Sequence, residues 1–172
     1  MNIFWLDNDP VLAAQYQCDK HVVKMILESA QLLCTAHHIM DLPWQQPPER
    51  FYRATHQKHP CTLWVCKCIP NYWWLVDHAQ ALLKEYTYRY DKKHASTDVI
   101  RWCSNHLPNL NYRIHITPPA QAMPDTYKNE DPVQAYRDYY WYDKRVNIDM
   151  RWTRREKPEW WMQRLSELAE TG

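Results

Sequence analysis

The sequence predicts a mainly α-helical protein, a single compact helical domain (residues 1–172) of about five to seven helices with an ordered proline-rich loop. Apolar residues recur at helical spacing over several long stretches. The single glycine is the last residue, so hairpin turns built on Asn-Gly or Asp-Gly are missing. A chain of 172 residues also has the usual size of one domain, and no Gly/Ser-rich linker divides it.

The first helices are predicted after a short extended or strand-like apolar stretch at residues 2–6. Asp9 and Pro10 have the pattern of an N-cap followed by proline at the first helical position. Helical spacing of apolar residues then continues over residues 11–40. This stretch is predicted to form either one long helix or two helices broken near Asp19.

The middle of the chain contains two more predicted helices. Three prolines in residues 41–50 predict a loop before them. A short helix is expected to begin at Pro60 and to end at Pro70. Asn71 has the pattern of the next N-cap, and the helix that follows it is predicted to run to about Tyr90.

The last part of the chain alternates short helices with an irregular crossing. Ser96 is expected to cap a helix that ends near Asn105. Residues 107–125 carry four prolines and no helical period, which predicts a long irregular loop of the kind that is often functional. Two further helices are predicted, one over residues 131–144 and one from Pro158 onward.

Composition restricts the possible classes of function. The chain has 21 basic and 20 acidic residues, so any contact with nucleic acid must come from a local patch. Without an internal glycine there is no phosphate-binding loop and no dinucleotide-binding turn, which excludes ordinary P-loop kinases and Rossmann oxidoreductases. We see no signal peptide and no apolar run of about 20 residues, and therefore expect a soluble intracellular protein that does not contact membranes.

The six cysteines are expected to be free residues of an intracellular protein rather than disulfides. The tightest group, "CTLWVCKC", lacks the second pair of ligands that a structural zinc site needs. The sequence therefore predicts neither a metal site nor a cofactor.

The main candidate site is a polar seam along the predicted helical stretch 11–40. Five of its members, from His21 to Thr35, recur at spacings of three and four, and the whole set shares one narrow face of an otherwise apolar helix. They are Gln17, Lys20, His21, Lys24, Glu28, Gln31, Thr35 and His38. The seam is either a solvated stripe, with Lys24 and Glu28 as an ordinary i,i+4 pair, or the lining of a reaction cleft. A histidine, a cation and a carboxylate within three turns suit acid–base chemistry.

Three other groups suit contact with anions. His56, Lys58 and His59 precede a predicted helix start, where backbone amides bind anions, although a plain polar loop explains them equally well. Residues 85–94 interleave basic groups with tyrosines, which suits either nucleic-acid contact or a helix end whose cations complement its dipole. Residues 144–157 are the most basic window, either a nucleic-acid footprint or a solvated surface with arginines over tryptophans.

The chain contains several sequence blocks in a specific order, each of them once: "NIFWLDNDPVLAAQYQCDKHVVKMILESAQLLCTAHH", "HPCTLW", "NYWWLVDHAQALLKEYTYRYDKKH", "TPPAQAMP", "DPVQAYRDYYWYDK" and "KPEWW". Together they resemble a largely uncharacterised family of proteins from large tailed, often marine, bacteriophages. The blocks that this family shares include Lys20, His21, Lys24, Glu28, Gln31, His59, Pro60, Asn71, Arg89, His94, Pro118, Pro119, Met123, Pro124, Arg137 and Trp160. Asp91 departs from the pattern, which has glycine there. The resemblance implies a phage-encoded protein of the host cytoplasm that acts during infection.

The leading hypothesis is a small phage enzyme that acts on a nucleic acid or nucleotide, in DNA-base modification or processing, by His/Glu acid–base chemistry without a metal. In this hypothesis His21 is the general acid–base, Glu28 orients it, and His59 is a second proton-transfer group. The residues expected to bind substrate are Lys20, Lys24, Gln31, Arg89, His94 and Arg137.

The alternative hypothesis is a non-enzymatic helical module that binds a host or phage macromolecule through a Trp/Arg surface. The enzyme hypothesis predicts that the catalytic and binding residues converge in one concave pocket. The binding hypothesis predicts that Trp152 and Trp160 are exposed and form a patch.

Overall fold

The computed structural model describes residues 1–40 and 46–172 of the chain. All regular elements in these residues are helical, with seven helices and one 3-10 turn, which confirms the predicted mainly α fold. The helices are α1 Pro10–Tyr16, α2 Asp19–Met40, α3 Pro60–Val65, α4 Ile69–Tyr90, α5 Thr97–Asn105, α6 formed by Pro132–Asp138, Tyr139–Lys144 and Arg145–Asn147 in succession, and α7 Glu159–Thr171. Part of the predicted 41–50 loop, residues 41–45, lies outside the described residues.

The first two helices form as the sequence predicts, and the alternative with a break near Asp19 is confirmed. The Asp9 carboxylate accepts hydrogen bonds from the first two free amides of α1, as an N-cap does. The chain then leaves the helical conformation at Gln17, and α2 begins at Asp19. The amide of Asp19 donates a 2.7 Å hydrogen bond to the carbonyl of Arg151, so a distant segment holds the break.

The predicted start of α3 at Pro60 is confirmed, but the predicted boundary between α3 and α4 is wrong. Pro70 lies in the first turn of α4, where its missing N–H costs no hydrogen bond. Asn71 therefore lies inside the helix and is not its N-cap. Its Nδ2 atom donates to the carbonyl of Trp64 and to Oγ1 of Thr117, each at 2.8 Å. This buried side chain joins α3 and the proline-rich loop to α4.

The later helices and the loop agree with the predicted bounds, except that α6 is longer than predicted. Ser96 is the N-cap of α5, and residues 107–124 form the expected irregular loop. α6 passes through a π-helical turn at Tyr139–Lys144 and ends at Asn147, slightly beyond its predicted end. Asp91 ends α4 with a φ angle of 53°, a left-handed conformation that explains why glycine is the expected residue there.

Aromatic rings fill much of the core between α1, α2 and α4. Trp5 stacks on Trp74 with ring centroids 3.6 Å apart, and Trp64 contacts both rings edge-on. Such ring pairs add packing energy beyond their buried area. The core therefore fixes the start of the chain, which carries Trp5, against α3 and α4.

A candidate active site at the buried start of the chain

The first residues of the chain form an extended segment that is buried in the protein. Residues 3–6 are each at most 3% exposed. Asn2 holds the segment, because its Oδ1 accepts hydrogen bonds from the amides of Ile3 (2.8 Å) and Phe4 (3.2 Å). Its Nδ2 donates to the carbonyl of Ala122 at 2.9 Å. The start of the chain is thus fixed against the proline-rich loop.

Glu28 of α2 is buried against this start. The backbone amide of Asn2 donates to Oε2 of Glu28 at 2.8 Å, and the amino nitrogen of Met1 lies 3.9 Å from the same oxygen. Nζ of Lys24, which reaches solvent, lies 3.8 Å from Oε1. One carboxylate oxygen therefore faces two nitrogens at the start of the chain, and the other faces a lysine.

His59 is within electrostatic reach of Glu28 and of the amino group of Met1. Its Nδ1 accepts a 3.1 Å hydrogen bond from the amide of Cys61, so the ring caps α3. Burial lowers the pKa of His59, and the positive charges of the chain's amino group and of His56 lower it further, whereas Glu28 raises it. These influences place His59 in the same electrostatic cluster as Glu28 and the amino group.

His21 lies two turns before Glu28 on α2, and its ring is buried. The imidazole stacks on Phe4 with ring centroids 4.2 Å apart. Burial above all, and then the charges of Lys144 and Lys24, lower the pKa of His21 to about 3. The imidazole is therefore neutral at neutral pH.

Tyr140, on the π-helical turn of α6, determines how His21 is protonated. Its hydroxyl oxygen accepts a hydrogen bond from the amide of Cys18 at 3.3 Å and lies 2.5 Å from Nδ1 of His21. Burial raises the pKa of Tyr140 well above its ordinary value, so the hydroxyl keeps its proton. We therefore assign Nδ1 of His21 as the acceptor and its Nε2 as the protonated nitrogen.

Phe4 has a strained backbone between these groups. Its φ angle is 60°, in the left-handed region, which costs a bulky residue about 1–3 kcal/mol. The ring is held by stacking on His21 and by edge contacts to Tyr136 and Tyr140. Strain of this kind persists where the surroundings fix the conformation, as they do here.

Two other predicted residues lie on the same face of α2. Lys20 is exposed, next to His21 in the sequence, and Gln31 is half-buried, three residues beyond Glu28. Helical spacing therefore places Gln31 beside the carboxylate.

Arg89 lies at the break between α1 and α2 and is 2% exposed. Its nitrogens donate to carboxylate oxygens of Glu85 and Asp19 at 3.0 and 3.1 Å. They also donate to the carbonyls of Gln15 and Gln17 at 2.9 and 2.8 Å. Every guanidinium nitrogen of Arg89 is therefore engaged within the protein.

His94 and Arg137 also make local contacts. Nδ1 of His94 accepts a 3.0 Å hydrogen bond from the amide of Ser96, so the ring stabilises the start of α5. Arg137 donates to the carbonyl of Leu6 at 2.9 Å and to Asp7 at 3.1 Å, so it holds the far end of the buried start segment. The structure thus brings His21, Lys24, Glu28 and His59 around the start of the chain, while the contacts of Arg89 and His94 lie elsewhere.

The tryptophans named by the binding hypothesis are not exposed. Trp152 is 7% exposed, and its indole N–H donates to the carbonyl of Tyr16 at 2.9 Å. Trp160 packs against the core, with the guanidinium of Arg137 5.2 Å from its ring. These two residues therefore serve packing in the folded protein.

The sequence reasoning missed the amino group of Met1 and the side chains of Asn2, Phe4 and Tyr140. The buried apolar stretch at residues 2–6 was the only available signal, and it indicated an extended segment without indicating its partner. A helical wheel describes one face of α2 and says nothing about which distant groups cover it.

The described residues, 1–40 and 46–172, contain no group of three or more His, Cys, Asp or Glu side chains placed to hold a metal ion. Among the helices of this same part of the chain, none has the length and apolar character needed to cross a membrane.

A helical fold with a buried carboxylate, an amine and surrounding cations defines a site suited to an enzyme that acts on an anionic polymer such as nucleic acid. The family model described as pyrimidine dimer DNA glycosylase matches residues 1–98, more than half of the chain. The chain belongs to this family, and the expectation of a nucleic-acid-processing enzyme is confirmed at that level. No curated protein and no solved structure is similar enough to the chain to match it.

The family match corrects the resemblance stated above. The sequence blocks do not identify a largely uncharacterised family of phage proteins, because the matched family is one of characterised DNA repair enzymes. The residues shared by those blocks include Glu28 and His59, which the structure places near the start of the chain.

Proposed function

We propose that this protein excises photodimerised pyrimidines from UV-damaged DNA and that Glu28 and the first amino group of the chain react with the damaged nucleotide. The observation that carries the proposal is the approach of both nitrogens to one oxygen of Glu28, at 3.9 Å for Met1 and 2.8 Å for Asn2. Family membership supports the substrate class.

An amine is a suitable nucleophile for breaking the bond between a base and its sugar. In the proposed step, Glu28 accepts a proton from the ammonium group, and the freed nitrogen forms a bond to C1′ of the damaged nucleotide. The N-glycosidic bond breaks, its electron pair leaves on the pyrimidine, and the pyrimidine takes one proton from the newly bonded nitrogen. As the sugar ring opens, its oxygen takes the proton that Glu28 had accepted, and a protonated imine remains between the sugar and the chain. If Met1 is removed in the cell, the Asn2 nitrogen supplies the amine.

Cations near the reacting pair suit a DNA substrate. Lys24 lies beside Glu28, and the charges of Lys24 and Lys144 both act on His21. The exposed Lys20 lies on the same face of α2. Lysines of this kind bind backbone phosphates and make the affinity for DNA depend on salt.

The reacting pair is buried, so the damaged nucleotide must leave the base stack to reach it. Enzymes that act on a base usually turn the nucleotide out of the duplex into a pocket. In this proposal neutral His21 is a positioning residue, because it holds Phe4 and Tyr140 around the start of the chain. Nδ1 of His59 is already engaged by the amide of Cys61, so in this proposal the ring holds the start of α3 in the electrostatic cluster around the amine.

The test of this function measures excision from a duplex oligonucleotide that carries one thymine dimer. Glu28→Gln is expected to lower the single-turnover rate at least about 100-fold, because the amide cannot accept the ammonium proton. Glu170→Gln is the matched control, since it changes an exposed carboxylate of α7. Full activity of Glu28→Gln would contradict the role given to this residue.

Reduction with borohydride tests the amine. Wild-type protein mixed with the dimer duplex is expected to form a covalent adduct on its first residue, identified by peptide mass spectrometry, because borohydride reduces an imine to a stable amine. Excision without an adduct, or an adduct on a lysine side chain, would show that the first amino group is not the nucleophile.

A further inference from the structure

We propose that residues 112–116 form an apolar wedge that enters the DNA duplex beside the damaged base and opens the stack. This inference rests on the proposed function, because that function supplies duplex DNA as the partner.

The wedge consists of large apolar side chains in water. Tyr112 is 79% exposed, Ile114 is 77% exposed and Ile116 is 40% exposed. Residues 111–116 are all exposed, whereas the next residue, Thr117, is buried. Three large apolar side chains within five residues form a concentrated exposed apolar group, which is typical of an interaction site.

Both ends of this segment are fastened to the helical core. The amide of Ile69 donates to the carbonyl of Asn111 at 2.9 Å. At the other end, Thr117 accepts at its carbonyl from the indole of Trp64 (3.0 Å) and donates its amide to Oδ1 of Asn71 (2.9 Å). The exposed residues therefore project from a fixed base, which suits a group that must push bases apart.

The charge around the wedge matches DNA. Arg113 and His115 alternate with the apolar residues, and both are exposed. Residues 99–124 contain no aspartate or glutamate. Proteins that kink DNA insert apolar side chains between base steps while nearby cations contact the backbone. This combination favours a nucleic acid over a protein partner.

The wedge is joined to the proposed reacting pair through a short path. Thr117 and Ala122 are five residues apart, a distance of at most about 18 Å along an extended chain. The carbonyl of Ala122 accepts a hydrogen bond from the side-chain Nδ2 of Asn2, and the backbone amide of Asn2 donates to Glu28. With base pairs about 3.4 Å apart, one short stretch of duplex can contact both places.

The closing experiment uses a dimer duplex with 2-aminopurine next to the lesion, since this base fluoresces more strongly when it is unstacked. Wild-type protein is expected to raise the fluorescence. The wedge variant, which carries both Tyr112→Ser and Ile114→Ser, is expected to give at most about one fifth of that rise. The matched control Tyr142→Ser/Val146→Ser removes a tyrosine and a branched aliphatic side chain that are 60% and 68% exposed on α6, and is expected to behave as wild type. An equal rise in the wedge variant, or no rise with any protein, would overturn the wedge.

Excision rates on duplex and single-stranded DNA test the wedge independently of the reaction at Glu28. The wedge variant is expected to excise the dimer about tenfold more slowly from a duplex but within about twofold of the wild-type rate from a single strand, where no stack must be opened. Equal loss on both substrates, or loss on neither, would overturn the wedge. If wild-type protein raises the fluorescence but excises nothing, the proposed function fails and the wedge stands.

Discussion

The hydroxyl of Tyr140 connects α6 to the start of α2 through three contacts at a single atom. It accepts from the amide of Cys18 at the break before α2, and it lies 2.5 Å from Nδ1 of His21 and 3.7 Å from the sulfur of Cys18. Because the tyrosine is fully buried, no water can replace these contacts if the hydroxyl is removed.

Tyr140→Phe is therefore expected to lower the free energy of unfolding by about 1–3 kcal/mol, since it leaves buried polar atoms of His21 and Cys18 unpaired. Urea unfolding measures this loss. Tyr142→Phe removes the hydroxyl of a 60% exposed tyrosine on the same helix and should change stability by less than about 0.5 kcal/mol. Equal effects of the two substitutions would contradict the role of Tyr140.

Two buried histidines should make stability depend on pH. Burial lowers the pKa of His21 to about 3 and that of His78 to about 4. In the unfolded chain both titrate near about 6.5. Between these values the unfolded state binds protons that the folded state does not, so the free energy of unfolding falls as the pH falls.

Between pH 6 and pH 5, each of these histidines is expected to remove about 1.4 kcal/mol of unfolding free energy at most. Urea unfolding at both pH values measures how steeply the free energy of unfolding changes with pH. His21→Asn should reduce this dependence by the amount that corresponds to about one bound proton. The exposed His115 supplies the control substitution, His115→Asn, which should leave the slope unchanged. Stability that stays constant or rises from pH 6 to pH 5 would contradict this account.

At the scale of residues, sequence reasoning chose side chains by type and spacing, and this identified Glu28 and His59 as candidates. It could not distinguish Lys24, which lies beside the Glu28 carboxylate, from Arg89, whose nitrogens are engaged at the α1–α2 break. A basic residue among tyrosines has the same sequence pattern whether it meets a phosphate or a buried carboxylate. The structural distinction depends on partners distant in the chain.

At the scale of elements, local signals predicted most helix starts because capping depends on adjacent residues. Asp9-Pro10 and Asp131-Pro132 both begin helices with a carboxylate cap. The start of α4 was missed because Pro70 is compatible both with the end of one helix and with the first turn of the next. The contacts of Asn71 with α3 and the loop settle the choice, and these contacts are long-range.

The break between α1 and α2 is held by ionic contacts that can be tested. Arg89 bonds to Asp19 at the start of α2 and to Glu85, which also pairs with Arg155. Arg89→Leu is expected to lower the free energy of unfolding by about 3–5 kcal/mol, because Glu85 and Asp19 each lose one partner and the carbonyls of Gln15 and Gln17 lose their donor. Lys128→Ala breaks an exposed pair with Asp125 and should cost far less than Arg89→Leu.

Urea unfolding of these two variants distinguishes a structural Arg89 from one that serves mainly to bind substrate. If Arg89→Leu kept wild-type stability and lost only affinity for DNA, the guanidinium would be a substrate ligand. Should this substitution prevent folding altogether, the milder Arg89→Lys is expected to fold with lower stability than wild type, because a lysine cannot reproduce the forked contacts.

At the scale of the whole molecule, the family match ends at residue 98, yet later residues complete the surroundings of the site. Ala122 binds Asn2, and Tyr140 binds His21. Farther from the site, Arg155 binds Glu85, and the indole of Trp152 binds Tyr16. The two parts of the chain therefore share one set of buried contacts.

This sharing leads us to expect that residues 1–172 unfold in a single cooperative transition, as one domain does. Far-UV circular dichroism, which reports on all helices, and tryptophan fluorescence, which reports on ten indoles spread over both parts, should give the same urea midpoint. Trp152→Phe should shift both signals together, because it removes the hydrogen bond to Tyr16. Two separated transitions, or a shift in one signal alone, would mean that the part beyond residue 98 unfolds independently and that the site is assembled from two units.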